Sequence, residues 1–548
     1  MAPPPAGGAI FYWGLVSRMR YSIAFLAACG AILGLVGSVP ARAADPPAPA
    51  PQPKFAVHEY RVLGNTVLSN RDIETVLYPL LGDAKQLSDV ESARTALEKA
   101  YHDKGFGTVF VDIPPQEIED GVVRLHVTEG RLNSRKIDGA KYFSERDVIA
   151  KLPAAQVGAV LDLPALQRQL AAVNAETPDR SVVPILKAGP VPGTVDLELK
   201  TADSLPLHGS LSLDDNYTVA TEPLRATAAL SYSNLFAALD AISVQYQDAP
   251  QKPGQVGVLN ASYMTRPFWD GLRVSGYFIN SNSNVANAGA GAVGVLGKGQ
   301  IYGLSLDFPT LFDGPASHTL TLGVDYKHFR DVITAGGGST QLVTPISYTN
   351  VSLTYLGAWR YPHVEGTFSI VPDFGVRGAP NSADAFENKR FLGRPNYFYV
   401  RWDGSLIGHL PKDYRITLRF AGQVTTEPLI SNENFSIGGA DGVRGYLEAE
   451  ELGDLAKKGT FQFQTPNWNL HYQHLFNAFA FFDAGQSRIL SALQGQPDHA
   501  ELLSAGVGIT LFPDRWLTGS LLWADPLRDG SYTKAGESRW LFSIRGAF

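Results

Sequence analysis

The stretch HTLTLGVDYKHF, His318–Phe329, alternates apolar and polar side chains along its length. Leu320 and Leu322 fall on one side of an extended chain, whereas Thr321 and Asp325 fall on the other. This alternation predicts a β-strand with one apolar face and one hydrated face.

The same pattern recurs from Leu205 to the C-terminus, for example in YRITLRFAGQVT (Tyr414–Thr425) and in Arg539–Phe548. About seven short turns and eight longer loops separate about sixteen such stretches. An even number of amphipathic strands with alternating short and long connections is typical of a transmembrane β-barrel. We expect a 16-stranded antiparallel transmembrane β-barrel over residues 204–548. A large soluble sandwich or propeller is the alternative fold, but its outer faces would be polar.

Residues 54–203 show a different pattern, which occurs twice with the element order β-α-α-β-β. In the first copy, residues 54–130, we expect a strand from Val57 to Leu68, two helices and two further strands. The second copy spans residues 131–203, where one helix face is marked by Leu163, Leu166, Leu170 and Val173. The sequence therefore predicts two small α+β modules, and any small fold with a three-stranded sheet remains an alternative for each.

The N-terminus has the pattern of an export signal over residues 1–43. Arg18 and Arg20 precede the apolar run Tyr21–Val39, and the small-x-small string Ala41–Ala43 follows. A membrane-spanning helix is the alternative interpretation of this run. A Pro/Ala-rich linker over residues 44–53 leads to the first module.

Cys29 is the only cysteine, and it lies within the predicted signal peptide. The mature chain is therefore expected to have no disulfide and no thiol chemistry. The string LAAC, which ends at Cys29, also matches a lipoprotein cleavage box, but the apolar run continues well past it.

The sequence gives no support for an enzyme, a cofactor or a metal site. It has no G-x-S-x-G, H-E-x-x-H or phosphate-loop motif, and its net charge of −7 argues against nucleic-acid binding. The string Gly289–Gly294 matches G-x-G-x-x-G but lacks the flanking strand and helix of a dinucleotide site. His471 and His474 are three apart in an expected strand, so we expect them to face opposite sides.

Several motifs carry a resemblance to a known family. VLGNT (Val62–Thr66), KGF (Lys104–Phe106) and VTEG (Val127–Gly130), together with Pro115, Gln116 and Gly121, resemble POTRA domains. GGADGVRGYLEAE (Gly438–Glu450) lies in the sixth long loop, about 428–453, and FFDAG (Phe481–Gly485) lies on a later strand. With two POTRA-like modules before a sixteen-stranded barrel, the chain resembles the TpsB-type outer-membrane transporters of two-partner secretion, within the Omp85 superfamily.

The resemblance implies that four residues form the tip of a loop folded back into the barrel lumen, namely Val443, Arg444, Gly445 and Tyr446. It implies that three residues face this tip from the barrel wall, namely Phe481, Asp483 and Gly485. An arginine can bind a carboxylate through two parallel hydrogen bonds, which suits a contact between tip and wall. The alternative is that Arg444 is a solvated loop residue and Asp483 an ordinary turn residue.

The resemblance also implies a location and partners. The barrel would lie in the Gram-negative outer membrane, in contact with lipid, with the modules in the periplasm. Its cargo would be a large secreted exoprotein of the TpsA type, an adhesin or a cytolysin, and no module residue is assigned to cargo binding. The C-terminal Phe548 resembles the signal read by the outer-membrane insertion machinery. An Omp85-type insertase or assembly factor is the alternative function, and an outer-membrane enzyme is a third class.

Overall fold

The structure is a computed structural model that describes residues 53–548, apart from residues 237, 267–270, 284–285, 288–293, 296, 310–314, 335–340, 379 and 472–473. The predicted signal peptide with Cys29, and all but the last residue of the predicted linker, lie outside the described residues. The chain divides into two compact units after Leu205.

The first module has a three-stranded sheet and two helices. Its strands are Glu59–Leu63, Val109–Asp112 and Val122–Glu129, and its helices are Asn70–Leu77 and Leu87–Asp103. The first strand runs parallel to the third, and the second pairs with the third at the sheet edge. A 3-10 turn covers Tyr78–Leu80, and a separate two-stranded sheet joins Phe55–Val57 to Gly82–Lys85. The sequence prediction did not include that second sheet.

The predicted strand from Val57 to Leu68 is wrong at both ends, because its main part begins at Glu59 and ends at Leu63. Gly64 follows with φ +88°, and a Cβ there would lie 2.3 Å from the carbonyl oxygen of Val127. The carboxylate of Glu129 then accepts the backbone N–H of Thr66, 63 residues away in sequence. The motif VLGNT therefore forms a turn, and Glu129 of the motif VTEG holds this turn in place.

The second module repeats this arrangement. Its strands are Arg131–Asp138, Arg180–Ala188 and Thr194–Asp203; its helices are Glu145–Ala150 and Leu163–Ala175, with a 3-10 turn at Pro153–Ala155. The predicted helix face is buried at Leu166, Leu170 and Val173. Asp203 takes the role of Glu129, because its Oδ2 accepts the backbone N–H groups of Lys141, Tyr142 and Phe143 at 2.9, 2.9 and 3.2 Å.

Sixteen antiparallel strands close into a barrel, which confirms the predicted fold class. They are β1 Leu207–Asp214, β2 Arg225–Leu235, β3 Asp240–Asp248, β4 Val258–Met264, β5 Arg273–Ser281, β6 Gly299–Pro309, β7 Ala316–Thr334, β8 Gln341–Tyr361, β9 Val364–Val376, β10 Phe398–His409, β11 Arg415–Thr425, β12 Leu455–Gln464, β13 His474–Arg488, β14 His499–Asp514, β15 Leu517–Pro526 and β16 Arg539–Ala547. A short continuation of β12, Trp468–His471, also pairs with β13. Pairing of β16 with β1 closes the cylinder.

The two faces of the barrel wall differ as the alternation predicts. On β7, Leu320, Leu322 and Val324 point outward and are 38–41 % exposed. Thr321 and Lys327 point inward and are buried by other parts of the protein. The outer face thus suits lipid, and the inner face carries the polar groups.

The connections alternate between short turns and long loops. Two long loops contain small sheets, namely Ala286–Asn287 with Gly294–Val295, and Phe435–Ser436 with Leu452–Gly453. Helical pieces cover Ala383–Lys389, Pro411–Asp413 and Ser431–Glu433. Within the G-x-G-x-x-G match, only its last glycine is described, and it pairs with Asn287 in one of these small sheets.

His471 and His474 are not three apart within one strand, as the sequence prediction assumed. They stand opposite each other at the turn between β12 and β13, as cross-strand partners. In the described ranges, no group of three His, Cys, Asp or Glu residues could hold a metal ion. Among the residues that the structure describes, no helix is long and apolar enough to cross a membrane.

Candidate functional site

Loop 6, residues 426–454 between β11 and β12, carries the string GGADGVRGYLEAE. A bridge between Gly438 and Val443 folds this string into a compact turn. Arg444, the only basic residue of loop 6, is just 8 % exposed. The tip of loop 6 therefore lies against protein and not in bulk solvent.

Arg444 makes a two-armed contact with Asp483 on the inner face of β13. Its Nε donates to Asp483 Oδ2 at 2.7 Å, and its Nη2 donates to Oδ1 at 2.9 Å. The backbone N–H of Arg444 also donates to Oδ2, at 3.1 Å. Asp483 is completely buried. A bidentate, charge-assisted pair of this kind fixes both the distance and the orientation of its partners.

Two further groups enclose the Arg444 guanidinium. Its Cζ lies 3.6 Å from the ring centroid of Phe481, two residues before Asp483. Its Nη1 donates to Gln462 Oε1 on β12, at 3.0 Å. A guanidinium over an aromatic face gains a cation–π attraction, which is stronger where water is excluded.

Gly485 completes the wall side of this contact because it leaves space for the tip of loop 6. A Cβ at Gly485 would lie 2.9 Å from Val443 Cγ2 and 3.1 Å from Ile437 Cβ. Val443 and Ile437 are fully buried. Any side chain at position 485 would therefore have to push the tip away from β13.

Gly445 and Tyr446 extend the contact toward β14 and β15. Gly445 has φ +95°, a left-handed conformation that other residues rarely adopt. The Tyr446 hydroxyl lies 2.7 Å from the carbonyl oxygen of Arg528 and 3.0 Å from that of Leu503. The structure thus brings together all seven residues that the sequence analysis singled out in the loop and on the wall.

Glu450 joins loop 6 to loop 8, residues 527–538. Its Oε1 accepts the backbone N–H groups of Tyr532 and Thr533 at 3.0 and 2.7 Å, and its Oε2 accepts the Thr533 hydroxyl at 2.6 Å. Glu450 also accepts the N–H of Leu447 at 2.9 Å, which closes its own turn. The tip is thus held by a neighbouring loop as well as by the wall.

A second anchor lies at the root of loop 6 and was missed by the sequence analysis. Glu433 is almost completely buried, and its Oε1 accepts a hydrogen bond from Lys327 Nζ of β7 at 2.7 Å. The hydroxyls of Tyr348 and Tyr399, on β8 and β10, also donate to this carboxylate. Arg401 Nη2 donates to the backbone oxygen of Glu433 at 3.0 Å. This root anchor uses a different part of the wall from the tip contact.

Asp454 holds the two ends of loop 6 together. Its Oδ1 accepts the N–H of Leu429 at 2.8 Å and the Asn434 Nδ2 at 2.9 Å. Its Oδ2 accepts the N–H of Leu490, in the loop after β13, at 2.7 Å. Because Asp454 has no exposed surface, these bonds form without competition from solvent.

One signal in the sequence pointed toward the root anchor. Lys327 falls on the polar face of the opening β7 stretch, and a buried lysine needs an anion as partner. Its partner, Glu433, is 106 residues away and has no spacing relation to it. The pair therefore needed the barrel topology before it could be identified.

Phe548, the predicted assembly signal, lies at the point where the barrel closes. Its backbone exchanges two hydrogen bonds with Gly209 of β1, at 3.0 and 3.1 Å. Its ring is exposed on the outside and covers the backbone at Gly209. The last residue of the chain is thus part of the seam between β16 and β1.

Comparisons with known proteins match both units. The family described as "POTRA domain, ShlB-type" matches residues 55–130, and the family "Haemolysin secretion/activation protein ShlB/FhaC/HecB" matches residues 193–511. The chain is 23 % identical over 488 residues to the outer membrane transporter CdiB of Dickeya dadantii, which covers 85 % of this chain and 82 % of that protein. It is 20 % identical over 527 residues to the heme/hemopexin transporter protein HuxB of Haemophilus influenzae, with 90 % and 87 % covered.

Two solved structures share the fold. CdiB from Escherichia coli aligns with a TM-score of 0.61 and 18 % identity, over 93 % of each chain. BamA from Haemophilus ducreyi, lacking POTRA domains 1–3, aligns with a TM-score of 0.56 and 15 % identity, over 90 % of this chain and all of that one. At these identities, the likeness concerns the arrangement of modules and strands.

Proposed function

The chain belongs to the haemolysin secretion/activation protein family ShlB/FhaC/HecB, and we propose that it exports one large exoprotein under the control of loop 6. It is an outer-membrane transporter of two-partner secretion, with its POTRA module in the periplasm. Its relatives are transporters and not enzymes, and we propose that this chain likewise catalyses no reaction.

The observation that supports control by loop 6 is the contact between Arg444 and Asp483 inside the barrel. A loop pinned to the inner wall occupies space that an exported chain needs. Hydrogen bonds and an ion pair can break and re-form without covalent change, so the contact is a reversible latch. Release of the tip would open a path while the root at Glu433 keeps the loop attached.

The cargo is one exoprotein of the adhesin or cytolysin class, which the periplasmic modules bind and the barrel conducts in an unfolded state. An extended chain can add to an exposed sheet edge through backbone hydrogen bonds, whatever its sequence. Folding of the cargo outside the cell would then favour outward movement. The outer-membrane insertion machinery would recognise Phe548 when this chain itself is assembled.

Deletion of the gene tests the transport function. One large protein should disappear from the culture medium or the cell surface, while the other outer-membrane proteins keep their normal levels. General loss of outer-membrane barrels would instead identify the chain as an assembly factor. Mass spectrometry of the medium and of the outer-membrane fraction distinguishes the two results.

Arg444→Ala tests the latch. We expect the export of that protein to fall by about tenfold or more, because export needs the tip to alternate between a pinned and a released position, and without Arg444 it cannot return to the pinned one. Heat-modifiable migration on gels should still show a folded barrel. Arg377→Ala is the matched control, because Arg377 is an exposed arginine just after β9 that makes no ion pair among the described residues. Normal export by Arg444→Ala would disprove the latch.

A further inference from the structure

The sheet of the first module has two edges, Glu59–Leu63 and Val109–Asp112. The Val109–Asp112 edge is covered by the module's own helix Leu87–Asp103. Val111 is an edge residue whose N–H donates to Glu98 Oε2 at 3.1 Å and whose carbonyl accepts from Arg94 Nη1 at 3.4 Å. The carbonyl of Val109 lies 3.0 Å from His102 Nε2. These three helix residues are spaced four apart and saturate the outward backbone groups of the strand. An added strand would first have to displace them.

The corresponding edge of the second module is covered only at its beginning. Asn174 accepts the N–H of Val182 at 2.8 Å and donates to its carbonyl at 3.0 Å. The backbone N–H and C=O of Val182 therefore point away from the neighbouring strand. In an antiparallel pair this direction alternates, so the same groups of every second residue after Val182 also point outward. Pro184 is the next such residue and has no N–H to offer. Beyond it, the outward groups belong to Leu186 and Ala188.

No other described strand lies beside this edge, because Arg180–Ala188 is the last strand of its sheet. The segment is also open on both faces, since all residues from Val183 to Ala188 are exposed. Val183 is 54 % exposed and Leu186 is 39 % exposed. The edge thus combines unpaired backbone groups with apolar side chains.

We propose that Pro184–Ala188 is the strand to which an extended segment of the exported protein adds, whereas the corresponding Val109–Asp112 edge of the first module is closed to it. The proposal rests on the transport function proposed above. The added segment would pair with the backbone of Leu186 and Ala188 and place apolar side chains beside Val183 and Leu186. Pro184 has no N–H, so pairing with the added segment stops there after a few residues. A segment held by so few hydrogen bonds can dissociate and move on into the barrel. If two copies of this chain paired through this edge, both edges would carry Pro184 and lack its N–H, which disfavours such pairing.

The first experiment removes a single backbone donor in the full-length protein in cells. Leu186→Pro deletes the outward N–H and leaves the pairing with Thr194–Asp203 intact, since Leu186 points away from that strand. Export of the protein that is lost on gene deletion should fall by about tenfold or more. Leu186→Ala is the matched control; it keeps the N–H and should lower export by less than about threefold. Equal export by Leu186→Pro and wild type would overturn the proposal.

A second measurement guards against misfolding of the proline variant. The photo-cross-linker p-benzoylphenylalanine is placed at position 186 or, in a separate strain, at position 110 on the covered edge. A covalent adduct with the exported protein should form from position 186 and not from position 110. An adduct only from position 110, adducts only with this chain itself, or no adduct would each overturn the proposal. If gene deletion removes no exported protein, the transport function fails instead, and the two failures are thereby distinguished.

Discussion

Gly485 determines at the residue scale how closely loop 6 can approach the barrel wall. The missing side chain provides the space that Val443 and Ile437 fill. Asp483, two residues earlier, provides the charge that Arg444 needs. The motif F-x-D-x-G therefore places an aromatic ring, a carboxylate and a gap on one face of β13. The ring and the carboxylate both contact the Arg444 guanidinium, and the gap takes Val443 and Ile437.

Gly485→Ala should displace the tip of loop 6 without breaking the strand. The new Cβ would lie 2.9 Å from Val443 Cγ2, which is closer than packed side chains allow, so the tip must shift. We expect export to fall by about tenfold, as for loss of the arginine. Gly459→Ala on β12 is the matched control, because its Cβ would meet only Arg419 O at 3.6 Å. Export in secreting cells is the measurement, and the same loss in both variants would contradict the idea.

Loop 6 at the element scale has two anchors of different character. The tip uses the string Val443–Tyr446 that the resemblance identified, whereas the root uses a buried carboxylate held by three strands. If the tip contact is released as proposed while the root stays in place, loop 6 would have to bend between Glu433 and Arg444.

Glu433→Gln should loosen the root of loop 6. The neutral amide removes the carboxylate that Lys327 contacts directly, and breaking one partner of a buried ion pair costs about 3–5 kcal/mol. We expect a larger or more frequently open conductance in planar lipid bilayers, with the barrel still folded. Glu387→Gln, at an exposed glutamate of the helix Ala383–Lys389, is the control and should behave as wild type. Replacing both partners, as Lys327→Met with Glu433→Leu, should recover part of the closed state, because the ion pair is then removed as a whole and neither of its two charges is left alone. Unchanged conductance in Glu433→Gln would argue against a root anchor.

Asp203 should make the second module sensitive to acid. Partial burial raises its pKa, but the N–H groups of Tyr142, Lys141 and Phe143 outweigh this effect and hold the pKa of the carboxyl below its usual range. A lowered pKa in the folded state stabilises the fold above pH about 4, and this stabilisation is lost as pH falls through the lowered value. Hydrogen exchange at residues 141–143, corrected for the intrinsic rate, should therefore accelerate below pH about 4. Asp203→Asn should remove this dependence, and an equally steep dependence in the variant would refute the assignment.

The sequence predicted those elements whose cause is local. Alternation in the β7 stretch and the helix face at Leu166 follow from neighbouring residues, and both are present in the structure. The sheet formed by Phe55–Val57 and Gly82–Lys85 could not be foreseen, because its short strands lack any periodic pattern. The covering of Val111 by Glu98 was also invisible, since it depends on where the helix lies over the sheet edge.

Closure of the barrel is a property of the whole molecule. β16 and β1 share only the register Ser543–Ala547, whereas β7 and β8 pair along their full lengths. Phe548 adds two backbone bonds to this short seam through Gly209. The backbone of Phe548 therefore contributes to closing the cylinder.

Phe548→Ala should lower the amount of assembled barrel in the outer membrane. Loss of the ring uncovers the backbone at Gly209 on the lipid side and removes the terminal aromatic group. We expect the heat-modifiable form to fall by about threefold or more. Trp540→Ala is the matched control, because Trp540 is an exposed aromatic residue of the same strand. If the two variants assemble equally well, the terminal position has no special role.

The length of β7 and β8 has a consequence on living cells. The apolar outer face of β7 ends near Tyr326, but the paired strands continue to Thr334 and back from Gln341. At about 3.4 Å per residue and a tilt of roughly 45°, the eight residues beyond Tyr326 extend about 20 Å beyond the lipid. It would present an epitope at the bacterial surface, so an antibody against it would label intact bacteria without permeabilisation, and bacteriophages could use it as a receptor.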